Sequence, residues 1–325
     1  MLGNYSLHSL YKGIREPSLA VNELQRLYKL GGLRLSQNYY TWRYGDRGID
    51  VMARDWDNLL ILDAARPELT AECDLPEAWQ LSTITSPASE SHGFMQATWE
   101  GKQFYDTVYV TSNPHAYKLP SDTFHYVENL LDSEWDKELM TVTPADVVKR
   151  ASEIIEMYPD KRLIVHFMQP HFPFLSEAGQ QIDDSGITVH LDNDEEIERG
   201  SQPWQKIESG SLEPDVVVEA YQENHALAIS YAEELVCQLT GKTVITADHA
   251  NLLGERLAPL YIQKYGHPKD LTAPSLTTVP WIDVPCNTRR RIISDPPKSD
   301  ENTNAKIVDD RLQALGYVPD QTAEK

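Results

Sequence analysis

Four short apolar runs, each closing on a polar or proline-marked loop, constrain the fold more than any other feature of the sequence. They are NLLILDAAR at 58–66, DTVYVTSNP at 106–114, RLIVHFMQPHFPF at 162–174 and KTVITADHA at 242–250. Continuous apolar runs of this length are typical of strands that helices cover on both faces. Helical segments lie between them, at 143–158 and 214–239. This alternation predicts an α/β fold with a doubly wound, mainly parallel sheet sandwiched by helices.

The rest of the chain is divided by composition. We expect a helix over 17–31 that ends at Gly31-Gly32, and an acidic surface excursion broken by Gly, Ser and Asp. The excursion is read either as a plain insertion or as a lid over the substrate. The predicted organisation is an N-terminal helical extension at 1–50, a catalytic domain at 51–292 with its excursion at 175–213, and a linker with a C-terminal helix at 293–325.

The charge balance limits the partners of this chain. Its 50 acidic and 29 basic residues give a formal net charge of −21, spread along the sequence. A negative field repels phosphate backbones and anionic membrane surfaces, so we expect no nucleic-acid partner. The same composition would suit a high-salt interior.

The cysteines and the apolar segments bear on location. Cys73, Cys237 and Cys286 lie far apart without a CxxC pair, which favours neither a disulfide framework nor a thiolate zinc site. The N-terminus lacks an apolar run typical of a signal peptide, and no stretch reaches the roughly 18 apolar residues of a membrane span. These features predict a cytoplasmic protein with no membrane span.

Polar side chains follow the apolar runs at the points where the predicted strands end. They are Asp63, the pair Ser112 and Asn113, His171, and the pair Asp248 and His249. Any one of them alone is more often a helix cap or an ordinary loop residue. In a doubly wound sheet, however, the carboxyl ends of the strands meet at one edge. Carboxylates with one or two imidazoles there predict a divalent metal site for Zn²⁺, Mn²⁺ or Mg²⁺, with a second metal possible.

The order of these motifs resembles that of a known superfamily. NLLILDAAR, a serine-rich turn, HFMQPHFPF, KTVITADHANLLGE and YGHP are similar to elements of the alkaline phosphatase and sulfatase superfamily, with the greatest similarity to sulfatase-like proteins of haloarchaea. The resemblance covers about residues 50–290 and implies an alkaline phosphatase-like fold. It implies Asp63, Asp248 and His249 as metal ligands. His171 is then near the substrate or a second metal, and His267 is another imidazole at the metal.

An enzyme of this kind needs a nucleophile, which we expect at a helix start where unpaired N–H groups stabilise the developing anion. The stretch TITSPASESHGFMQATW at 83–99 has that character. By the spacing to Phe94 in the phosphotransferase branch, the resemblance implies Ser89 as nucleophile and metal ligand, with Ser91 second and Ser86 third. Each serine can equally be a helix cap.

Two further residues refine the prediction. Arg66 either neutralises a phosphate or sulfate oxygen or pairs with a surface acid. Cys73 lies in CDLPE, where the sulfatase pattern that is converted to formylglycine has Arg in place of Glu, so a formylglycine sulfatase is disfavoured.

These observations predict a metal-dependent hydrolase of phosphate, or less favourably sulfate, monoesters that acts through a serine on a small-molecule or glycan-related ester. Ser89, His171 and Arg66 are the predicted catalytic residues, and Asp63, Ser89, Asp248, His249 and His267 the predicted metal-site residues. A phosphoglycerol- or phosphoethanolamine-type transferase and a catalytically silent glycan- or nucleotide-binding member are the alternatives.

Overall fold

The structure is a computed structural model that describes residues 17–45, 47–183 and 203–297. Its strands follow the apolar runs of the sequence and add five that those runs did not indicate. They are β1 Asn58–Asp63, β2 Gln80–Thr85, β3 Phe104–Thr111, β4 Phe124–Asn129, β5 Arg162–Pro170, β6 Thr243–Thr246, β7 Leu252–Leu257, β8 Ile262–Gly266 and β9 Thr278–Val284.

Seven of these strands form one sheet, in the order β2-β9-β6-β1-β5-β3-β4, while β7 and β8 form a separate antiparallel pair. Strands β6, β1, β5, β3 and β4 are parallel to one another. Strand β9 runs antiparallel to both β6 and β2. The prediction of a mainly parallel sheet is therefore confirmed, and the carboxyl ends of β1, β3, β5 and β6 share one edge of the sheet.

Helices lie on both faces of this sheet. In chain order they are α1 Pro17–Tyr44, α2 Pro67–Glu72, α3 Ser91–Trp99, α4 Leu130–Ser133, α5 Pro144–Met157, α6 Glu177–Asp183, α7 Pro203–Ser209, α8 Pro214–Gln238 and α9 Pro274–Thr277. Short 3₁₀ turns occupy Val51–Ala53 and Pro114–Lys118.

The core explains why the sheet strands read as continuous apolar runs. Alternate residues of a strand point to opposite faces of the sheet. Leu60 and Leu62 of β1 pack into a cluster with α5 and α8, whereas Leu59 and Ile61 pack into a second cluster with α3. All six residues of β1 are buried. A strand covered on both sides has no polar face, so its sequence does not alternate.

The first helix differs from the prediction. Helix α1 does not end at Gly31-Gly32 but continues to Tyr44. Gly32 is buried against β8, where a β-carbon at this position would lie 2.9 Å from the Ile262 side chain. A glycine here permits close packing of a helix on a strand, at the cost of a lower helix propensity.

Some predictions fall outside the described residues or stay open. The middle of the 175–213 excursion, residues 184–202, and the predicted C-terminal helix lie outside the part of the chain that the structure describes. On either side of that gap, α6 and α7 bury Ile182, Trp204 and Ile207 in a cluster with α8. The domain boundaries at residues 50 and 292 remain predictions.

Candidate metal centre and active site

Asp63, Asp248 and His249 lie together at the carboxyl edge of the sheet. Asp63 ends β1, and the other two residues follow the neighbouring strand β6. One ligand atom from each residue can be chosen so that all three lie within 4.8 Å of one another. Each of the three residues has an exposed fraction of 0%. The convergence that the sequence predicted is therefore present in the structure.

Backbone amides fix the orientation of Asp248. Its Oδ1 accepts hydrogen bonds from the backbone N–H of Ala64 at 3.1 Å and of His249 at 2.9 Å. Ala64 has a φ of 65°, a left-handed conformation that directs this amide toward Asp248. The second oxygen, Oδ2, is buried and makes no hydrogen bond within the described chain. Asp248 therefore keeps one carboxylate oxygen available to a ligand.

A hydrogen bond also fixes the tautomer of His249. Its Nδ1 lies 3.0 Å from the carbonyl oxygen of Ala250, which only accepts, so Nδ1 carries the proton. Nε2 then presents its lone pair 3.5 Å from Asp63 Oδ1 and 3.7 Å from Asp248 Oδ2. Metal-bound histidines usually donate their other N–H to a carbonyl or carboxylate in this way.

The electrostatics of the cluster favour a bound cation. Burial acts to raise the pKa of Asp248, but the neighbouring His249 and His166 outweigh it, and the pKa of Asp248 is held below its usual value. Two buried carboxylates beside a single lone-pair nitrogen need positive charge to offset their desolvation. The donor set of oxygen and nitrogen atoms fits Zn²⁺, Mn²⁺ or Mg²⁺.

The three candidate serines occupy different places. Ser91, the first residue of α3, donates to Asp63 Oδ2 at 3.0 Å and lies 3.5 Å from His249 Nε2. The Ser89 hydroxyl, by contrast, donates to the carbonyl of Pro268 and accepts from the amide of Leu271. Ser86 donates to the backbone carbonyl of Asp248. The structure brings Ser91 to the cluster and leaves Ser89 holding the 268–271 loop.

Glu90 occupies the helix start where unpaired amides were expected. Its carboxylate accepts from the backbone N–H of His92 at 2.9 Å and of Gly93 at 2.7 Å. A carboxylate at this position caps the helix and complements its dipole. These two amides are therefore not available to a substrate anion.

Asn113, which follows β3, also contacts the cluster. Its side-chain N–H donates to Asp63 Oδ2 at 2.7 Å, while its Oδ1 accepts from the backbone N–H of His115. Asp63 Oδ2 thus accepts from both Asn113 and Ser91, and these bonds hold its carboxylate in place.

His171 and His267 form an imidazole pair beside the candidate metal centre. Their Nε2 atoms lie 3.1 Å apart, and the ring of His267 lies 4.6 Å from that of His249. Burial, with a smaller contribution from His249, lowers the pKa of His171 to about 4, so its ring is neutral at pH 7. His171 Nδ1 donates to the Phe172 carbonyl, which means that Nε2 accepts and His267 Nε2 donates.

His166 is a site residue that the sequence analysis missed. It lies inside β5, and its Nε2 is 3.6 Å from Asp248 Oδ2. Its Nδ1 is 3.0 Å from the hydroxyl of Tyr109, a fully buried residue of β3. A histidine inside the apolar run RLIVHFMQP was the available signal, because a buried imidazole needs polar partners.

Two further histidines that the sequence analysis missed are His92 on α3 and His115 in the 3₁₀ turn at Pro114–Lys118. The rings of His92 and His115 stack with centroids 5.4 Å apart. Burial, aided by Lys118 and His92, lowers the pKa of His115 to about 2. His115 is therefore a neutral imidazole at physiological pH, and Asp248 and His171 are among the groups that influence it.

Arg66 is placed differently from the other predicted catalytic residues. Its Nη1 donates to the Asn251 carbonyl at 2.6 Å and to Glu255 Oε1 at 2.5 Å. In the structure Arg66 therefore makes the alternative interaction that the sequence left open, a pair with an acid, and its role toward a substrate remains a prediction.

The chain matches no protein-family model and no curated protein sequence. Solved structures similar to it include the C-terminal periplasmic domain of EcEptC from Escherichia coli in complex with zinc, at 12% identity and a TM-score of 0.43, covering 74% of this chain and 75% of that one. The C-terminal periplasmic domain of phosphoethanolamine transferase EptC from Campylobacter jejuni has 13% identity and a TM-score of 0.42, with 70% and 78% covered.

A third similar structure is the integral membrane lipooligosaccharide phosphoethanolamine transferase A from Neisseria meningitidis, at 12% identity and a TM-score of 0.40, covering 85% of this chain and 60% of that one. Phosphoethanolamine transferases belong to the alkaline phosphatase and sulfatase superfamily, and the similarity is one of fold. The narrower resemblance to haloarchaeal proteins receives no support from these structures.

Location is the prediction that this comparison corrects. Similar structures are periplasmic domains, so the prediction of a cytoplasmic protein is wrong. The absence of an evident signal run and of paired cysteines was its only basis. Within the described residues, no helix is long and apolar enough to cross a bilayer.

Proposed function

We propose that this chain is a metal-dependent phosphoryl-transfer enzyme that forms a covalent phosphoserine at Ser91. The observation that carries the proposal is the contact of the Ser91 hydroxyl with Asp63 Oδ2 at 3.0 Å, beside His249 Nε2 at 3.5 Å. A hydroxyl among candidate metal ligands at the first residue of a helix is suited to act as a nucleophile.

Asp63, Asp248 and His249 would hold the divalent cation, with the Ser91 hydroxyl next to it. When bound, the cation lowers the pKa of a neighbouring hydroxyl and neutralises charge that develops on the phosphoryl oxygens. Asn113 and the amides of Ala64 and His249 keep the two carboxylates oriented. This support limits reorganisation during the reaction.

The reaction then has two balanced steps. Ser91 Oγ forms a bond to phosphorus while the ester P–O bond breaks, and the serine proton passes to Asp63 Oδ2. The departing oxygen takes this proton from Asp63 Oδ2, and the neutral imidazoles of His171 and His267 would position the leaving group. In the second step an acceptor hydroxyl forms a bond to phosphorus while the Ser91 Oγ–P bond breaks, and the proton of the acceptor passes through Asp63 Oδ2 to Ser91 Oγ.

We favour an alcohol over water as the final acceptor. Ser91, Asp63, Asp248, His249 and His171 all have exposed fractions of 0%, and a site shielded from water protects a phosphoserine from hydrolysis. Transferase is also the activity named for two of the similar structures, EptC of C. jejuni and transferase A of N. meningitidis. The hydrolase predicted from sequence is the second candidate, and it uses the same residues.

A matched pair of variants, Ser91→Ala and Ser89→Ala, tests the nucleophile. The substrates are p-nitrophenyl phosphate, bis-p-nitrophenyl phosphate and p-nitrophenyl sulfate, with Zn²⁺ or Mn²⁺. We expect Ser91→Ala to lower turnover of the phosphate esters by at least about 1,000-fold, and Ser89→Ala to stay within about tenfold of the parent. Intact-mass spectra should show a phosphoryl adduct in the parent that is absent from Ser91→Ala.

The opposite pattern, loss of activity and of the adduct in Ser89→Ala alone, would reinstate Ser89. Adduct formation that turns over only when glycerol or ethanolamine is added would identify a transferase. Turnover in water alone would identify a hydrolase. No turnover and no adduct, with one metal ion bound per chain, would instead support the catalytically silent member.

A further inference from the structure

Exposed apolar side chains concentrate on one part of the surface. Nine large apolar side chains are exposed among the residues that the structure describes, and six lie on α1 and the turn between β7 and β8. We call these six the α1 patch: Tyr28, Leu30, Leu35, Trp42, Leu260 and Tyr261. The two parts are joined, because the Tyr28 hydroxyl donates to the Leu260 carbonyl at 3.1 Å.

The other side of α1 is already occupied. Leu33 and Tyr40 pack against the cluster under β7 and β8, and the Tyr40 hydroxyl accepts from the backbone N–H of Ala258. The side chain of Gln37 donates to the Lys269 carbonyl at 2.7 Å. Helix α1 is therefore anchored along one side by buried and hydrogen-bonded residues, and the exposed side chains of the α1 patch lie outside these contacts apart from the bond between Tyr28 and Leu260.

The spacing within α1 makes the exposed residues a stripe. Tyr28, Leu35 and Trp42 are seven residues apart, which places them on the same side of a helix. Their exposed fractions are 53%, 49% and 79%. The two seven-residue intervals from Tyr28 to Trp42 extend about 21 Å along the helix axis. Three large exposed apolar side chains aligned along one side of a helix indicate a binding surface.

Charge identifies the kind of partner. Residues 17–44 contain four basic residues and one acidic residue, in a chain whose net charge is −21. Lys29, Arg34 and Arg43 of α1 are exposed, as is Arg47 just after it. If two copies met through this patch, these like charges would be brought together. An anionic surface, by contrast, attracts the basic residues while the apolar stripe enters it.

We propose that the α1 patch docks on the surface of an anionic lipid bilayer. Tryptophan, tyrosine and leucine flanked by Lys and Arg are the residues that hold a helix at the boundary between headgroups and acyl chains. The net negative charge of the whole chain acts against such contact, but within about a Debye length of the surface the charge of α1 decides the interaction. This proposal does not depend on the reaction proposed for the metal site.

The test is co-sedimentation of the full chain with vesicles. One set is phosphatidylcholine alone, and the other has equal parts phosphatidylcholine and phosphatidylglycerol. At about 20 mM NaCl we expect binding to the anionic vesicles only, and loss of that binding near 500 mM NaCl because salt screens the charges. Leu35→Ser with Trp42→Ser should weaken binding at least about tenfold. Arg34→Gln with Arg43→Gln should weaken it and reduce its salt dependence.

The matched controls lie on α5. Met157 has an exposed fraction of 56% and Lys149 is exposed, so Met157→Ser and Lys149→Gln change the same chemistry elsewhere and should bind as the parent does. Three results would overturn the proposal. The first is a parent protein that does not bind anionic vesicles at low salt. The second is equal binding by the parent and by the stripe variant, Leu35→Ser with Trp42→Ser. The third is a parent protein that sediments as a dimer in analytical ultracentrifugation while the stripe variant sediments as a monomer.

Discussion

At the residue scale, the candidate site depends on hydrogen bonds that leave one atom of each ligand facing its neighbours. The Ala250 carbonyl holds the proton on Nδ1 of His249, and two backbone amides occupy Oδ1 of Asp248. The ligand atoms that face the candidate metal position are then His249 Nε2 and Asp248 Oδ2. Each ligand is presented in a single orientation, which reduces the ordering required when a cation binds.

His166 extends this control beyond the ligands themselves. We expect His166→Phe to weaken Zn²⁺ or Mn²⁺ binding by about 10- to 100-fold, because it removes the imidazole beside Asp248 while it keeps a ring in the buried space. Tyr109→Phe deletes only the hydroxyl that meets His166 Nδ1, and its effect should be smaller. Isothermal titration calorimetry on variants with unchanged circular dichroism gives the comparison. Equal affinity of His166→Phe and the parent would exclude a role for His166 in orienting Asp248.

At the scale of elements, α8 connects the turns that carry the site. The Tyr221 hydroxyl donates to the Ala64 carbonyl at 2.6 Å, next to Asp63. One turn further along, Asn224 donates to the carbonyls of Pro170 and His171. Both residues are fully buried. One helix therefore fixes the backbone at the ends of β1 and β5, which are adjacent strands of the sheet.

His225, on the same helix, should make stability depend on pH. Burial lowers its pKa from 6.5 to about 4 in the folded chain. Between pH 4 and pH 6.5 the His225 imidazole binds more protons in the unfolded chain than in the folded chain. The stability that depends on neutral His225 is therefore complete above about pH 6.5 and is lost as the pH falls toward 4. Between pH 7 and pH 5 the loss is roughly 2 kcal/mol.

Urea unfolding of the parent and of His225→Gln at both pH values isolates this contribution. Glutamine can still donate to Thr70, the partner of His225 in α2, but it does not titrate. The variant should lose about 2 kcal/mol less stability than the parent between pH 7 and pH 5. Equal losses would show that His225 is not buried in its neutral form.

At the scale of the whole molecule, the charge of −21 is a source of self-repulsion. We expect the melting temperature to rise by several degrees as NaCl increases from about 0.05 M to about 1 M, because salt screens the repulsion among carboxylates. Most of the rise should occur below about 0.3 M, where the Debye length is already short. KCl should act as NaCl does. A falling melting temperature would show that ion pairs such as Arg289 with Asp55 and Asp57 contribute more than the repulsion.

Charge and apolar surface are also unevenly distributed across the molecule. The basic helix α1, with its exposed stripe, lies on β7 and β8, and the loop that follows β8 places His267 beside the candidate metal centre. The proposed docking surface and the candidate reaction site would then lie on neighbouring elements that the loop after β8 connects. This arrangement is visible only once the chain is folded.

The sequence by itself determined the α/β class, the four central strands, and the placing of Asp63, Asp248 and His249 among the strand-end residues expected to converge, while the family resemblance implied these three as the metal ligands. Each of these follows from local burial: an apolar run covered on both faces becomes a central strand, and its end points to a shared edge. The composition could not reveal the edge strand β2, which has no buried residue, or β9, which contains Pro280 and runs antiparallel.

Only the tertiary structure decided which serine meets the ligands, because Ser86, Ser89 and Ser91 lie within six residues and share the same local chemistry. The helix begins at Ser91 with Glu90 as its cap, and that register turns Ser91 toward Asp63 while Ser89 contacts Pro268 and Leu271, 179 and 182 positions away. The same holds for His166 and for the continuation of α1 through Gly32, since each depends on contacts with Asp248 or Ile262 that no local pattern encodes. Local periodicity specifies what is buried, and long-range packing specifies which polar atom faces which.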